Sequence, residues 1–140
     1  MADEALPRAE RLRGRERIDE LFARGTLGTA RLATARMLPN DLSCSRLAAV
    51  TGRACGNAVA RNRLRRRLRA AFRTQKAVLP SGFDVAVLPR RGALEASWPE
   101  FAASVRQAVE RARTGAVPPP RPKRGGKNKL IVDSFRGVSR

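Results

Sequence analysis

The sequence has no histidine and no tyrosine among its 140 residues, and it has only two cysteines. Histidine is the most common general base and zinc ligand, so its absence excludes a Ser-His or Cys-His catalytic pair and a typical zinc site. Cys44 and Cys55 are too few to hold a metal alone, and we interpret both as reduced thiols. We therefore predict that this chain carries no catalytic residue and no metal ligand.

Acidic residues are scarce as well, with 12 Asp and Glu against 30 Lys and Arg, which gives a formal net charge of +18. None lies between Asp41 and Asp84, the stretch with the densest positive charge, so an acidic two-metal nuclease site is not expected there. A chain this basic repels itself, and a polyanionic partner relieves that repulsion. Nucleic acid is the leading candidate for this partner.

Long apolar runs are also missing, since none approaches the roughly 20 residues that a membrane-spanning helix needs. The first ten residues, MADEALPRAE, lack the apolar core of a signal peptide. We expect a cytoplasmic protein without a membrane partner. Its length fits a single domain with one small core.

Apolar periodicity and turn signals predict three helices and three strands. The predicted helices cover residues 15–24, 57–76 and 98–113, and the predicted strands cover residues 29–37, 45–51 and 83–88. Gly25 is expected to end the first helix, and Asn57 to cap the start of the second. Ser97 and Glu100 are expected to form a capping box at the start of the third. A helix between two strands implies a βαβ connection.

The composition also predicts where the folded domain begins and ends. We interpret residues 1–10 as a flexible N-terminus, residues 11–113 as the domain, and the Pro-, Gly- and charge-rich residues 114–140 as a disordered basic tail. The predicted buried faces are Ala60, Leu64, Leu68, Ala71 and Phe72 on the second helix, and Trp98, Phe101, Val105, Ala108, Val109 and Ala112 on the third.

The other faces of the second helix are almost wholly arginine. Residues 61–73 read RNRLRRRLRAAFR and contain seven arginines and no acid, so the helix cannot form the ion pairs that a solvated charged face uses. The planar guanidinium can bind phosphate with two donors or stack on a base, which suits RNA. An arginine-rich surface that only reflects the biased composition is the alternative. A helix-turn-helix DNA reader is disfavoured, because strand-like segments flank this helix on both sides.

Residues 56–73, GNAVARNRLRRRLRAAFR, resemble the signature of the bacterial ribonuclease P protein component, G-x-A-V-x-R-N-R-x-K-R-x-x-R-x-x-F. The matching positions are Gly56, Ala58, Val59, Arg61, Asn62, Arg63, Arg66, Arg69 and Phe72. Arg65 stands where lysine is usual and keeps the charge. The segments LRGRERIDELFARGT and LPSGFDVAVLPRRGA also resemble the family, and the likeness covers about residues 11–113.

The resemblance implies an α+β fold, an α/β sandwich of the ribosomal protein S5 domain 2-like type. Its mixed four-stranded sheet carries three helices and a left-handed βαβ crossover, against the usual right-handed rule. The implied function is that of the protein subunit of ribonuclease P, which binds a catalytic RNA and the 5′ leader of precursor tRNA. Together they remove the leader by magnesium-dependent hydrolysis, with the magnesium held mainly by the RNA subunit and the substrate. No small-molecule substrate is expected.

Two sets of site residues follow from the basic helix and the resemblance. The predicted RNA-binding residues are Arg53, Asn57, Arg61, Asn62, Arg63, Arg65, Arg66, Arg67, Arg69 and Arg73. The predicted leader cleft contains Arg13, Ile18, Phe22 and Arg36, with Ile18 where the family commonly has phenylalanine and Arg36 near its tyrosine position. Phe22 is equally compatible with a core position, and Arg36 with a plain surface role. A general or ribosome-associated RNA-binding module is the alternative function, and a protein nuclease ranks third.

Overall fold

The computed structural model describes residues 6–118, which form three helices and a four-stranded sheet. In chain order the elements are α1 (Arg15–Arg24), β1 (Thr26–Thr29), β2 (Ala33–Pro39), β3 (Arg46–Ala49), α2 (Ala58–Thr74), β4 (Phe83–Pro89) and α3 (Trp98–Arg113). Short 3-10 turns cover Arg8–Glu10 and Arg53–Cys55. The α+β class and the number of helices and strands that the resemblance implies are confirmed.

The sheet is mixed, with the strand order β1-β2-β4-β3. β2 pairs antiparallel with both β1 and β4, whereas β3 runs parallel to β4, with Leu47 opposite Val85. Because α2 joins these two parallel neighbours, the βαβ connection is confirmed. The left-handedness that the resemblance implies for this connection stays a prediction.

The predicted strand over residues 29–37 is wrong as a single element. Thr29 ends β1 and Ala33 begins β2, and the two strands form a hairpin whose turn is closed by the Ala30 amide donating to the Ala33 carbonyl at 2.8 Å. The turn contains Ala30 and Leu32, which are buried. Because the apolar pattern runs through the turn without a break, periodicity could not separate the two strands.

The sheet carries helices on both faces, but the two layers differ greatly in apolar content. α2 and α3 cover the larger core, to which α3 alone contributes five buried apolar residues. α1 covers the other face with only two buried residues, Ile18 and Leu21. Trp98, predicted to be buried, is 40% exposed; it lies in the first turn of α3, with its ring centre 6.1 Å from that of Phe101.

The folded part of the chain begins earlier than residue 11. Leu6 is 1% exposed, and its carbonyl accepts a hydrogen bond from Arg11 Nε at 2.8 Å. The Leu12 amide then donates to Leu47 of β3, so the predicted boundary moves from residue 11 to Leu6. Residues 1–5 and 119–140, which include most of the predicted basic tail, lie outside the described residues.

Candidate nucleic-acid interface

α2 is a two-sided helix whose apolar face fixes its orientation on the sheet. Leu64, Leu68 and Phe72 are each at most 3% exposed and belong to the larger core. Asn57 caps the helix, since its side-chain oxygen accepts a hydrogen bond from the Ala60 amide at 2.9 Å. Asn57, predicted to bind RNA, therefore uses its amide oxygen within the protein.

The outer faces of α2 present the cations that the sequence predicted. Asn62, Arg63 and Arg66 are exposed, and Arg61, Arg65, Arg69 and Arg73 are half-buried at the flanks. Within residues 6–118, none of these six arginines forms an ion pair with an acid. Their guanidinium groups leave donors for an external acceptor. Arg53 lies just before the helix, exposed in its short 3-10 turn.

Cations from a second segment of the chain, Arg11 and Arg13, lie beside one flank of α2. Burial lowers the pKa of Arg69, and the charges of Arg11, Arg65 and Arg13 lower it further. Burial and Arg61 lower the pKa of Arg65, whose Nη1 donates to Thr51 Oγ1 at 2.9 Å. Arg13, predicted for the leader cleft, thus lies close enough to Arg69 to act on it. Since an arginine side chain stays protonated in proteins, this flank concentrates positive charge.

Arg67 differs from the other arginines of the helix. Its Nη1 donates to the carbonyls of Ala93 and Leu94 at 2.6 and 3.0 Å, and its Nη2 donates to that of Ala96 at 2.8 Å. The guanidinium carbon also lies 4.6 Å from the centre of the Phe101 ring, in cation–π contact. Arg67 was predicted to bind RNA, but the structure places its donors on the loop before α3.

Three of the four predicted leader residues, Ile18, Phe22 and Arg36, lie where α1 packs on the sheet. Ile18 is 3% exposed and packs in the smaller core, so it offers almost no surface to a ligand. Phe22 is half-buried against that core. Nη2 of Arg36 donates to the carbonyls of Phe22 and Gly25 at 2.8 and 3.0 Å, and its guanidinium lies 5.9 Å from the Phe22 ring centre. Arg36 therefore holds the end of α1.

A buried carboxylate at the start of β4 was missed by the sequence reasoning. Asp84 is 0% exposed and accepts hydrogen bonds from Arg17 of α1, Arg46 of β3 and Asn40. Burial alone would raise the pKa of Asp84, but these hydrogen bonds together lower it below its ordinary value. The sequence feature that indicates this cluster is an acid inside an otherwise apolar strand, because a buried charge requires oppositely charged or hydrogen-bonding partners.

Two further features bear on the class of site. No group of three or more potential metal-ligating side chains lies together among residues 6–118. In the same part of the chain, no helix combines the length and the apolarity needed to cross a membrane. The cationic surface of α2 and its flank are the dominant chemical feature of the described residues.

Comparison with known proteins identifies relatives of this chain. Residues 6–113 match the model of the Ribonuclease P family. The chain is 39% identical to the ribonuclease P protein component of Thermotoga petrophila over 88 residues, 63% of this chain and 75% of that protein. It is 36% identical to that of Roseiflexus sp. strain RS-1 over 108 residues, 76% of this chain and 88% of the relative.

Solved structures agree with the sequence relatives. The RNase P protein from Thermotoga maritima superposes with a TM-score of 0.67 at 31% identity, covering 73% of this chain and 96% of that one. The Staphylococcus aureus RNase P protein gives a TM-score of 0.66 at 21% identity, covering 76% and 97%. The second likeness supports the fold alone, because its identity is low.

Proposed function

The chain belongs to the bacterial ribonuclease P protein family, and on this premise we propose that it assembles with the catalytic RNA of ribonuclease P. In this proposal the complex binds precursor tRNA and removes its 5′ leader by endonucleolytic, magnesium-dependent hydrolysis. The protein contributes binding and electrostatic screening, and the RNA contributes the active site. The cytoplasm, where precursor tRNA is made, is the proposed location.

One observation carries the proposal: α2 presents a row of arginines that form no ion pair with any acid among residues 6–118. Arg63 and Arg66 are exposed on its outer side, and Arg61, Arg65 and Arg69 follow one another at intervals of four residues along one flank. Residues four apart lie on the same helix face, so this flank forms a continuous cationic strip. A polyphosphate backbone is the partner that such a strip fits best.

Magnesium enters the proposal through the RNA and the substrate. When bound there, it would supply charge stabilisation and an activated water for phosphodiester hydrolysis. The residues of this chain would act on the phosphates, since each guanidinium can neutralise and orient one phosphate group through two donors. By reducing repulsion between RNA strands, these arginines would lower the magnesium concentration that the complex needs.

The surface between α1 and the sheet is the proposed site for the single-stranded leader. Phe22 is half-buried at its edge, and Leu38 and Leu88 are partly buried apolar residues that pack nearby. An aromatic ring beside an arginine can accept a nucleobase by stacking, with little dependence on base identity. Phe22 and Arg36 form such a pair here.

The decisive experiment adds the purified chain to the ribonuclease P RNA of the same organism at low magnesium and measures cleavage of precursor tRNA. We expect strong stimulation by the complete system and no cleavage by the protein alone. A double variant, Arg63→Gln with Arg66→Gln, should require more magnesium to reach the same rate. Binding of RNA without any stimulation would instead support a general RNA-binding module and reject the proposal.

A further inference from the structure

The buried carboxylate of Asp84 connects three parts of the fold. Its Oδ2 accepts from Arg17 Nε at 2.7 Å and from Arg46 Nη2 at 2.7 Å. Its Oδ1 accepts from Arg46 Nε at 2.7 Å and from Asn40 Nδ2 at 3.0 Å. The carboxylate thus links α1, the start of β3 and the turn after β2. Charge-assisted bonds of this length are among the stronger polar contacts in proteins.

α1 depends on such contacts more than the other helices do. Ile18 and Leu21 are its only buried residues, whereas α3 buries six. Arg17 adds a further bond across the same interface, because its Nη2 donates to the Pro39 carbonyl at 2.9 Å. At the other end of the helix, Arg36 holds the Phe22 and Gly25 carbonyls. Two arginine contacts, one near each end, therefore add to this small apolar contact in fixing the position of α1 on the sheet.

We propose that Asp84 and Arg17 are positioning residues for leader binding, because they hold α1 at the distance from the sheet at which the cleft beside Phe22 accepts a single-stranded leader. Neither side chain needs to touch the RNA, since Asp84 is fully buried and Arg17 is 26% exposed. This inference rests on the proposed function, in which the same cleft binds the leader. If α1 is no longer fixed, only a fraction of the molecules has the cleft in its binding conformation, and the apparent affinity for the leader is reduced to that fraction.

The chain offers a matched pair of variants for the test. Arg17→Met and Arg46→Met each remove one of the two guanidinium groups on Asp84 and leave the other. Arg46 makes two bonds to the carboxylate and Arg17 makes one, so Arg46→Met disturbs Asp84 at least as much. Only Arg17→Met, however, disconnects α1. Methionine retains most of the apolar stem in both variants.

The measured quantity is the leader-dependent gain: the ratio of dissociation constants for precursor tRNA with a one-nucleotide leader and with a long leader. It is determined for each variant assembled with the catalytic RNA at one fixed magnesium concentration. We expect Arg17→Met to reduce this gain by about tenfold, the equilibrium equivalent of one charge-assisted hydrogen bond. Arg46→Met should keep the gain, and Arg17→Lys, which retains a donor, should restore part of it.

Several outcomes would overturn the inference. An equal loss of gain in Arg17→Met and Arg46→Met would reduce Asp84 to a general stabilising residue, and an unchanged gain in Arg17→Met would remove any role in positioning. If Arg17→Met does not fold, the comparison of Arg17→Lys with Arg46→Lys decides in the same way. Failure of the proposed function is distinguishable, because the unmodified chain would then show no leader-dependent gain and no stimulation of the RNA.

Discussion

The same substitution at two neighbouring arginines of α2 should have different effects, on RNA binding at Arg66 and on folding stability at Arg67. Arg66 is exposed and makes no ion pair with the described acids, whereas Arg67 donates to three carbonyls and contacts the Phe101 ring. Arg66→Gln and Arg67→Gln remove the same formal charge from adjacent positions. If only net charge governed RNA binding, the two variants would lose the same affinity. A difference in affinity between them would therefore reflect the different positions of the two guanidinium groups.

The expected magnitudes follow from the two environments. If Arg66 neutralises one phosphate, its loss reduces the slope of log affinity against log salt by about 0.7 to 0.9, out of a total near 4 for about five contacts. Between roughly 50 and 200 mM salt, that difference changes the ratio of wild-type to variant affinity by about threefold. Arg67→Gln should leave the slope unchanged and lower the free energy of unfolding by about 2 to 4 kcal/mol, through lost charged hydrogen bonds and cation–π contact.

Both effects can be measured on the same preparations. RNA affinity is titrated at several salt concentrations, and unfolding is followed by the fluorescence of Trp98, the single tryptophan, which lies beside Phe101. A stability loss of this size corresponds to a melting temperature about 10 to 20 °C lower. If Arg67→Gln flattened the salt dependence as much as Arg66→Gln does while retaining stability, the structural role assigned to Arg67 would be refuted.

Three further predictions concern stability. Asn57→Ala removes the N-cap of α2 and should cost about 1 kcal/mol in urea unfolding, whereas Asn62→Ala, at an exposed position of the same helix, should change it by less than about 0.5 kcal/mol. The pKa of Asp84 is lowered in the folded state from its ordinary 3.8, so the ionised carboxylate stabilises the fold above that value, and this stabilisation is lost as the pH falls through the folded-state pKa. The difference in free energy of unfolding between wild type and Asp84→Asn should therefore shrink on acidification over this range. Phosphate should raise the melting temperature more than chloride does at equal ionic strength, because we expect it to bind the cationic flank of the folded state; equal shifts would contradict a specific anion site.

The sequence predicted α2 well because two independent patterns agree there. The apolar positions recur with the helical period, and Asn57 stands where a cap is needed. The start of the helix and four of the five predicted buried positions are confirmed, whereas Ala60, in the first turn, is only half-buried. The distinct role of Arg67 was missed because charge density alone treats all arginines alike. Its spacing was informative, since Arg67 follows Leu64 by three residues and precedes Ala71 by four, on the apolar side of the helix.

Long-range partners were the part that no local pattern could supply. An acid within the apolar strand FDVAVL indicates that Asp84 needs cations, but the two that bind it lie 67 and 38 residues away along the chain. The same limit affected Ile18. The resemblance placed it in the leader cleft, whereas the structure buries it with Leu21 in the smaller core.

In the proposed function, the requirements of RNA binding oppose those of folding at the cationic flank. Burial together with Arg11, Arg65 and Arg13 lowers the pKa of Arg69, which means that the charged form is less favourable there than in water. This unfavourable interaction persists because no acid among the described residues pairs with Arg69. An acid placed there would relieve the repulsion, but it would also compete with phosphate for the same donors. In the proposed function, the repulsion in the unbound protein would be the counterpart of affinity for RNA, since a bound phosphate would remove the unfavourable interaction and form a favourable one.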